Sequence, residues 1–446
     1  MSKNIKIQEP FALYIHIPFC VEKCPYCDFY SVKYSKERVD QFWAALFQEL
    51  EHMSSFVESR LLRSIYIGGG TPSLIKPEKI SKLLNKIAAE YKIPPAAEIT
   101  LEANPASINE KKMIDYQRAG INRLSLGIQS FNDKFLNLLG RKSSGSRNRR
   151  VLEKVNKHFN SYSTDIIFAL PGQKLVDFKS DLEILLEYDP PHISLYNLEF
   201  HEDTPFYEQQ QRGLLQSISE EADAEMYEYA EYILTKNSYQ HYEISNFAKK
   251  GYRAQHNYIY WQYSPYLALG PGAAGFDGNI RYQNSRDLES YIAYYNKMKD
   301  QEYKFSEDKK LDYNHKNINT ANNSKVLNSK KKDSKQHDNY DKNSKKSNKD
   351  DTLPSFKAVN AEFKREIIRL SQEEKMAEYC FLRLRTADGL SFHKFKKKFK
   401  QNFNDLYRQK VEKLKKNGLI IEANGRIYLS SRGKLLANEV FLEFLA

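Results

Sequence analysis

Phe11-Ala-Leu-Tyr-Ile-His-Ile-Pro-Phe19, followed without a break by Cys20-Val-Glu-Lys-Cys24-Pro-Tyr-Cys27, decides the reading of this 446-residue chain. The first segment is an apolar run of strand length. The second packs three thiols into eight residues directly after it. Thiolates are the usual iron–sulfur ligands, and three on one loop can hold three corners of a [4Fe–4S] cube. No fourth cysteine stands nearby, because Phe29 follows the motif and Cys380 is far along the chain. One iron would then stay open to a non-protein ligand. The competing reading is zinc, which usually takes four protein ligands in a structural site and would here need His16 as the fourth.

Outward from this segment, strand-like and helix-like periods alternate. Strands are expected at Phe11–Phe19, Ser64–Gly68, Glu98–Ala103, Arg123–Gln129, Thr164–Leu170 and His192–Glu199. Helical patterns fall at Lys36–Met53, Pro77–Tyr91, Asn109–Ala119, Leu175–Glu187 and about Ser219–Thr235. Such repeats imply parallel strands with right-handed crossovers. The expectation is an α/β fold, a partial (β/α)6 barrel over residues 1–240 with its chemistry at the strand C-termini; a doubly wound open sheet fits the same pattern. A Tyr- and Gly-rich segment, 241–300, is expected to associate with the barrel. Ser306–Thr352, dominated by Asn, Lys, Ser and Asp, reads as a disordered insertion unable to bury enough apolar surface to offset its entropy. Residues 360–446 read as a winged-helix-like α+β domain. Its elements are helices Glu362–Leu384, Leu390–Phe399 and Asp405–Asn417, a hairpin of Leu419–Glu422 and Arg426–Leu429, and a last helix Ser431–Leu445.

Composition narrows the function classes. No apolar run approaches the roughly 20 residues of a membrane span, and Met1–Pro10 lacks the apolar core of a secretory signal. Four cysteines, three of them clustered, suit metal binding in a reducing compartment, so a cytoplasmic location is expected. The net charge of +12 sits in two places. Ser306–Thr352 holds 12 Lys against 8 acids, and Ser391–Gly418 holds 10 Lys and Arg against two acids. A basic tail on a neutral body does not argue for nucleic acid. Lys394–Lys400, with Phe395 and Phe399 interleaved, reads as a solvated helix face over two buried rings. Contact with an acidic partner or peripheral contact with membrane headgroups is the alternative for that face.

The CxxxCxxC spacing resembles that of the radical S-adenosylmethionine superfamily. The resemblance implies that S-adenosylmethionine chelates the open iron and that an electron from the cluster cleaves its sulfonium to a 5′-deoxyadenosyl radical. It continues in order through Gly68-Gly69-Gly70-Thr71-Pro72, Glu102 in Leu-Glu-Ala-Asn-Pro, Gln129 in Gly-Ile-Gln-Ser, Arg141 in Leu-Gly-Arg, and Asp165 in Asp-Ile-Ile-Phe. By this resemblance Tyr14, Tyr26, Gly69, Gly70, Thr71, Glu102, Gln129, Arg141 and Asp165 form the S-adenosylmethionine shell, and Cys20, Cys24 and Cys27 hold the cluster. The glycines are expected to let backbone groups approach the ligand closely.

Within the superfamily the chain resembles the branch containing oxygen-independent coproporphyrinogen III dehydrogenase and the HemW heme chaperones. Phe29 where the dehydrogenase has a further Cys, the short N-terminus before Tyr14, and His256-Asn-Tyr-Ile-Tyr-Trp261 all tilt toward HemW. The segments His241-Tyr-Glu-Ile-Ser-Asn-Phe and Gly270-Pro-Gly-Ala-Ala-Gly are also similar to that group. This implies heme as a ligand, with His256 as its candidate iron ligand, and an acceptor hemoprotein of respiratory type as partner. Without that context His256 reads as a hydrogen-bonded core histidine and Trp261 as a packing residue. Ser143 and Ala274 stand where the family usually carries His. No residue is assigned a catalytic role, and none marks an electron donor. The alternatives are enzymes: a coproporphyrinogen III dehydrogenase in porphyrin biosynthesis, a radical heme-opening enzyme, or a nucleic-acid-modifying enzyme using the winged helix.

Overall fold

The computed structural model describes residues 11–54, 61–298 and 365–445. Ser306–Thr352, expected to be disordered, lies outside the described residues. The strands of the main sheet are β1 (Phe11–Ile17), β2 (Leu62–Gly69), β3 (Glu98–Ala103), β4 (Arg123–Gln129), β5 (Tyr162–Phe168) and β6 (His192–Asn197), then β7 (Gln240–Glu243), β8 (Asn246–Ala248), β9 (Tyr266–Leu269), β10 (Ala274–Phe276), β11 (Ile280–Asn284) and β12 (Arg365–Arg369). Their order across the sheet is β12-β11-β10-β9-β1-β2-β3-β4-β5-β6-β8-β7.

From β9 to β6 every neighbouring pair is parallel. At both ends the sheet turns antiparallel and does not close on itself. Parallel strands covered on both faces read as near-continuous apolar runs, and in β1 six of seven residues are buried. Helices pack on the outside by ordinary amphipathic logic. Pro77–Glu90 has Pro at its first turn and buries Ile80, Leu83, Leu84 and Ile87 along one stripe. Glu110–Ala119 is capped by Asn109, which accepts from the Lys112 amide, and stops at Gly120 with φ +109°. No described helix is long and apolar enough to cross a membrane.

The six expected barrel strands are present with small shifts. The first ends at Ile17 because Pro18 has no N–H for a ladder; Phe19–Cys20 instead pairs with Val32–Lys33. The helix Gly145–His158 and the strands flanking the six were not anticipated. The expected helix Glu362–Leu384 is corrected. Arg365–Arg369 is a strand paired with β11, and the helix begins at Gln372 behind the capping box of Ser371 and Glu374. Beyond it, helices Phe392–Phe399 and Phe403–Lys416 and an antiparallel sheet of Leu390–Ser391, Arg426–Leu429 and Ile420–Ala423 enclose a second core around Tyr379, Phe395, Phe403 and Val411. That order is winged-helix-like. The expected last helix breaks at Leu436 into Ser431–Leu435 and Ala437–Leu445.

One buried carboxylate ties the late strands to the barrel. Glu49, with its side chain fully buried in helix Lys36–Ser54, accepts from the Gly270 amide at 2.7 Å, Asn284 Nδ2 at 2.9 Å, the Tyr291 hydroxyl at 2.7 Å and Arg365 Nη2 at 3.3 Å. Removing one partner of a buried pair leaves the other charge uncompensated. Glu49→Leu is therefore expected to cost on the order of 3–5 kcal/mol, seen as a fall in the urea midpoint. An unchanged midpoint would show that the node is not structural.

Candidate cofactor cavity at the strand ends

The turn after β2 positions the cysteine loop. The Gly70 amide donates to Ile17 O at 2.8 Å and the Thr71 amide to Phe19 O at 2.8 Å, carrying the β1–β2 ladder past the strand ends. The Thr71 hydroxyl lies 3.4 Å from Cys20 Sγ. The glycine run also meets a packing demand that the sequence did not reveal. A Cβ on Gly70 would stand 2.8 Å from Phe19 O, and one on Gly69 2.7 Å from the His16 ring, while Gly69 itself sits at φ +114°. Protein packing on the loop's own side already excludes side chains there.

Cys20, Cys24 and Cys27, each half-buried, line a cavity of about 490 Å³. Tyr26, Gly69, Gly70, Thr71, Glu102, Gln129, Arg141 and Asp165 line the same cavity, so eight of the nine residues expected around S-adenosylmethionine are brought together. Tyr14 is not in the wall. Its ring stacks behind Tyr66 at 6.1 Å and its hydroxyl meets His16 Nδ1 at 3.0 Å. His16 has its other nitrogen on Tyr30 O at 2.8 Å and is buried, so it is spent on packing and is not placed as a zinc ligand. Among the described residues no three His, Cys, Asp or Glu side chains are arranged around a single ion. A cube takes its thiolates on separate irons, so its ligands stand farther apart than those of one ion.

Two carboxylates give the cavity its electrostatic character. Glu102 Oε1 accepts from the Tyr66 hydroxyl at 2.8 Å and Oε2 from the Gly69 amide at 2.9 Å. Loss of solvation pushes its pKa up to about 7, against those two hydrogen bonds, and Asp165 adds a like charge. Asp165 is raised as well, mainly by desolvation. Its Oδ2 accepts from Ser125 at 2.9 Å, and Oδ1 meets no partner at hydrogen-bond geometry. Arg141 reaches Gly127 O at 2.7 Å and lies 3.8 Å from Cys24 Sγ, with its Nε unpartnered. Gln129 sits at φ +68° beside a register shift in β4, a bulge that re-aims the chain at the strand end. Buried polar atoms without partners beside two carboxylates and three thiols fit a polar ligand carrying positive charge, as a sulfonium amino acid does.

His256 stands outside the cavity wall. It is buried in the short helix Gln255–Trp261, with Nδ1 3.0 Å from the Ser64 hydroxyl and Nε2 2.6 Å from the Tyr260 hydroxyl. Burial lowers its pKa to about 3, which holds the ring neutral. The other face of the helix meets the C-terminal region: the Tyr258 hydroxyl bonds Asp388, Trp261 O accepts from Arg383, and the Arg385 guanidinium lies 4.6 Å from the Trp261 ring centroid. The motif is thus a strut between barrel and C-terminal region. Ser143, bonded to Asn148 at 2.6 Å, and Ala274 at the start of β10 also lie away from the cavity.

Sequence reasoning missed the far rim. Tyr196, Asn197, His201, Ser245 and Arg385 line the cavity as well. Ser245 lies in a segment already singled out, whereas Arg385 follows an ordinary helix and carries no motif signal.

The sequence matches the radical SAM superfamily over residues 14–185 and the HemN C-terminal domain over 370–436. It is 33% identical to the heme chaperone HemW of Lactococcus lactis over 440 residues, 98% of each chain. It is 30% identical to the HemW of Bacillus subtilis, covering 97% of this chain and 98% of that one. The HemW of Escherichia coli is 38% identical over 285 residues, 63% of this chain and 73% of the relative. In structure the chain resembles the Escherichia coli coproporphyrinogen III oxidase HemN, a radical SAM enzyme, with TM-score 0.73 and 21% identity over 98% of this chain and 90% of that one. This likeness establishes the fold.

A carboxylate whose pKa is near 7 folded and about 4.5 unfolded takes up a proton on folding, so its contribution to stability is present below pH 4.5 and lost as pH rises through about 7. A cationic ligand favours the ionised form. Affinity for S-adenosylmethionine, followed by equilibrium dialysis of reconstituted protein, is expected to rise between pH 6 and 7 and level off above. Glu102→Gln should flatten that profile. An identical profile in the variant would remove Glu102 from the ligand shell.

Proposed function

The chain belongs to the HemW heme chaperones of the radical SAM superfamily, and from that membership we propose that it binds heme and hands it to an acceptor hemoprotein. The observation that carries this reading is the agreement of two HemW relatives with the whole chain, C-terminal domain included. Phe29 supports it further: it lines the cavity where the related dehydrogenase has another cysteine.

Cys20, Cys24 and Cys27 would hold the [4Fe–4S] cluster, which supplies a redox-active iron open to S-adenosylmethionine. Around it Glu102 and Asp165 offer negative charge, Tyr66 orients Glu102, and Arg141 spans from Gly127 O toward Cys24. The acceptor is of respiratory type and the protein works in the cytoplasm without nucleic acid. Lys394, Lys396, Lys397 and Lys400 make no ion pair among the described residues, which supports peripheral contact with an anionic surface.

Heme ligation by His256 carries a geometric condition. The neutral ring is the ligating form, but Nε2 must exchange the Tyr260 hydroxyl for iron.

Anaerobically reconstituted protein, titrated with heme, is expected to give a stoichiometric, shifted Soret band that persists without turnover. The band should transfer to an apo-hemoprotein. Conversion of coproporphyrinogen III with S-adenosylmethionine consumption and no heme band would replace the chaperone by the enzyme. His256→Ala is expected to weaken heme binding and move the band; an unchanged spectrum and affinity would leave His256 as a strut only.

A further inference from the structure

Among the described residues, Arg385 is the side chain that joins the C-terminal region, the His256–Trp261 helix and the cavity. It follows helix Gln372–Leu384, where its backbone is drawn onto the barrel edge: the Ile244 amide donates to Arg385 O at 3.2 Å and the Ala387 amide to Tyr242 O at 2.9 Å. Its Nε donates to Glu243 Oε2 at 2.9 Å and its Nη2 to Ser245 Oγ at 3.1 Å. The guanidinium carbon stands 4.6 Å over the Trp261 ring centroid. Glu243 is fully buried, whereas the arginine side chain is 27% exposed.

These contacts fix the fork and do not exhaust it. A guanidinium has five donors in one plane, and Nη1 makes no hydrogen bond among the described residues. The edge formed by Nη1 and Nη2 is the edge that takes a carboxylate in parallel. The packing on Trp261 and the bond to Glu243 pre-organise it, so little rotamer entropy remains to be lost on binding. Of the other basic side chains in the wall, Arg141 is held to Gly127 and the cysteine loop, and His201 faces Glu199 at 3.7 Å. Lys23, exposed on the cysteine loop, has no hydrogen bond or ion pair to aim it among the described residues.

We propose that Arg385 is a carboxylate-binding residue of the cavity and that it takes a propionate of the bound porphyrin, with Trp261 and Glu243 as the positioning residues that aim it. This rests on the heme reading above. The carboxylate of S-adenosylmethionine is the other source of the same chemistry, and the test separates the two.

Hemin and hemin dimethyl ester, which lacks free propionates, are titrated into the full-length reconstituted protein by Soret absorbance, and S-adenosylmethionine by equilibrium dialysis. The unaltered protein is expected to bind hemin about 10-fold tighter than the ester, the scale of one charge-assisted hydrogen bond. Arg385→Gln should erase that discrimination and leave S-adenosylmethionine affinity unchanged. Because Arg385→Gln strands the buried Glu243, the double variant Glu243→Gln/Arg385→Gln is measured beside it and should give the same loss. Discrimination retained in either folded variant would overturn the assignment, as would a fall in S-adenosylmethionine affinity with discrimination intact. Absence of hemin binding by the unaltered protein would overturn the chaperone reading together with it.

Discussion

The position of the three thiols depends on one close approach, that of the turn after β2 to the end of β1. Gly69 lies on the His16 ring and Gly70 on the Phe19 backbone, with no room for a Cβ at either. The ladder therefore continues into the cysteine loop, and Cys20 begins the loop at a fixed height above the sheet. Parallel pairing brings the ends of β2 to β6 to the same level, which is where Glu102, Gln129, Asp165 and Tyr196 are delivered. The cysteine loop and the strand-borne residues of the cavity wall meet because the strands run the same way.

A second constraint acts on the far rim of the cavity. The helix Gln255–Trp261 is pinned by Glu98, which accepts from the Gln255 and His256 amides at 3.0 Å each, and by His256 on Ser64. Its far face carries Arg383, Arg385 and Asp388 of the C-terminal region. Rim residues on that side are held by contacts between regions distant in sequence.

The barrel was legible because buried parallel strands are long apolar runs between amphipathic helices, and Glu98–Ala103, Arg123–Gln129 and Leu175–Glu187 fall where periodicity places them. The flanking strands were not legible: β8 and β10 have three residues each, too few for a period, and Arg365–Arg369 mixes charge and apolar residues as a helix would. Most residues of the cavity wall were readable because they sit in or just after strands within motifs of their own. Arg385 was not, because only tertiary packing brings a lone arginine from residue 385 to Glu243, Ser245 and Trp261. The packing of Gly69 on His16 and of Gly70 on Phe19 was not legible, since steric exclusion by residues distant in sequence leaves no trace there.

Three thiolates are expected to hold a [4Fe–4S] cluster in this cavity, with one iron open to a ligand. The most direct measurement is electron paramagnetic resonance of the reduced, reconstituted protein with and without S-adenosylmethionine. The expected result is a [4Fe–4S] signal whose g-values shift on adding S-adenosylmethionine and which is lost when Cys24 is replaced by Ala. A signal indifferent to S-adenosylmethionine, or one that survives in Cys24→Ala, would contradict it.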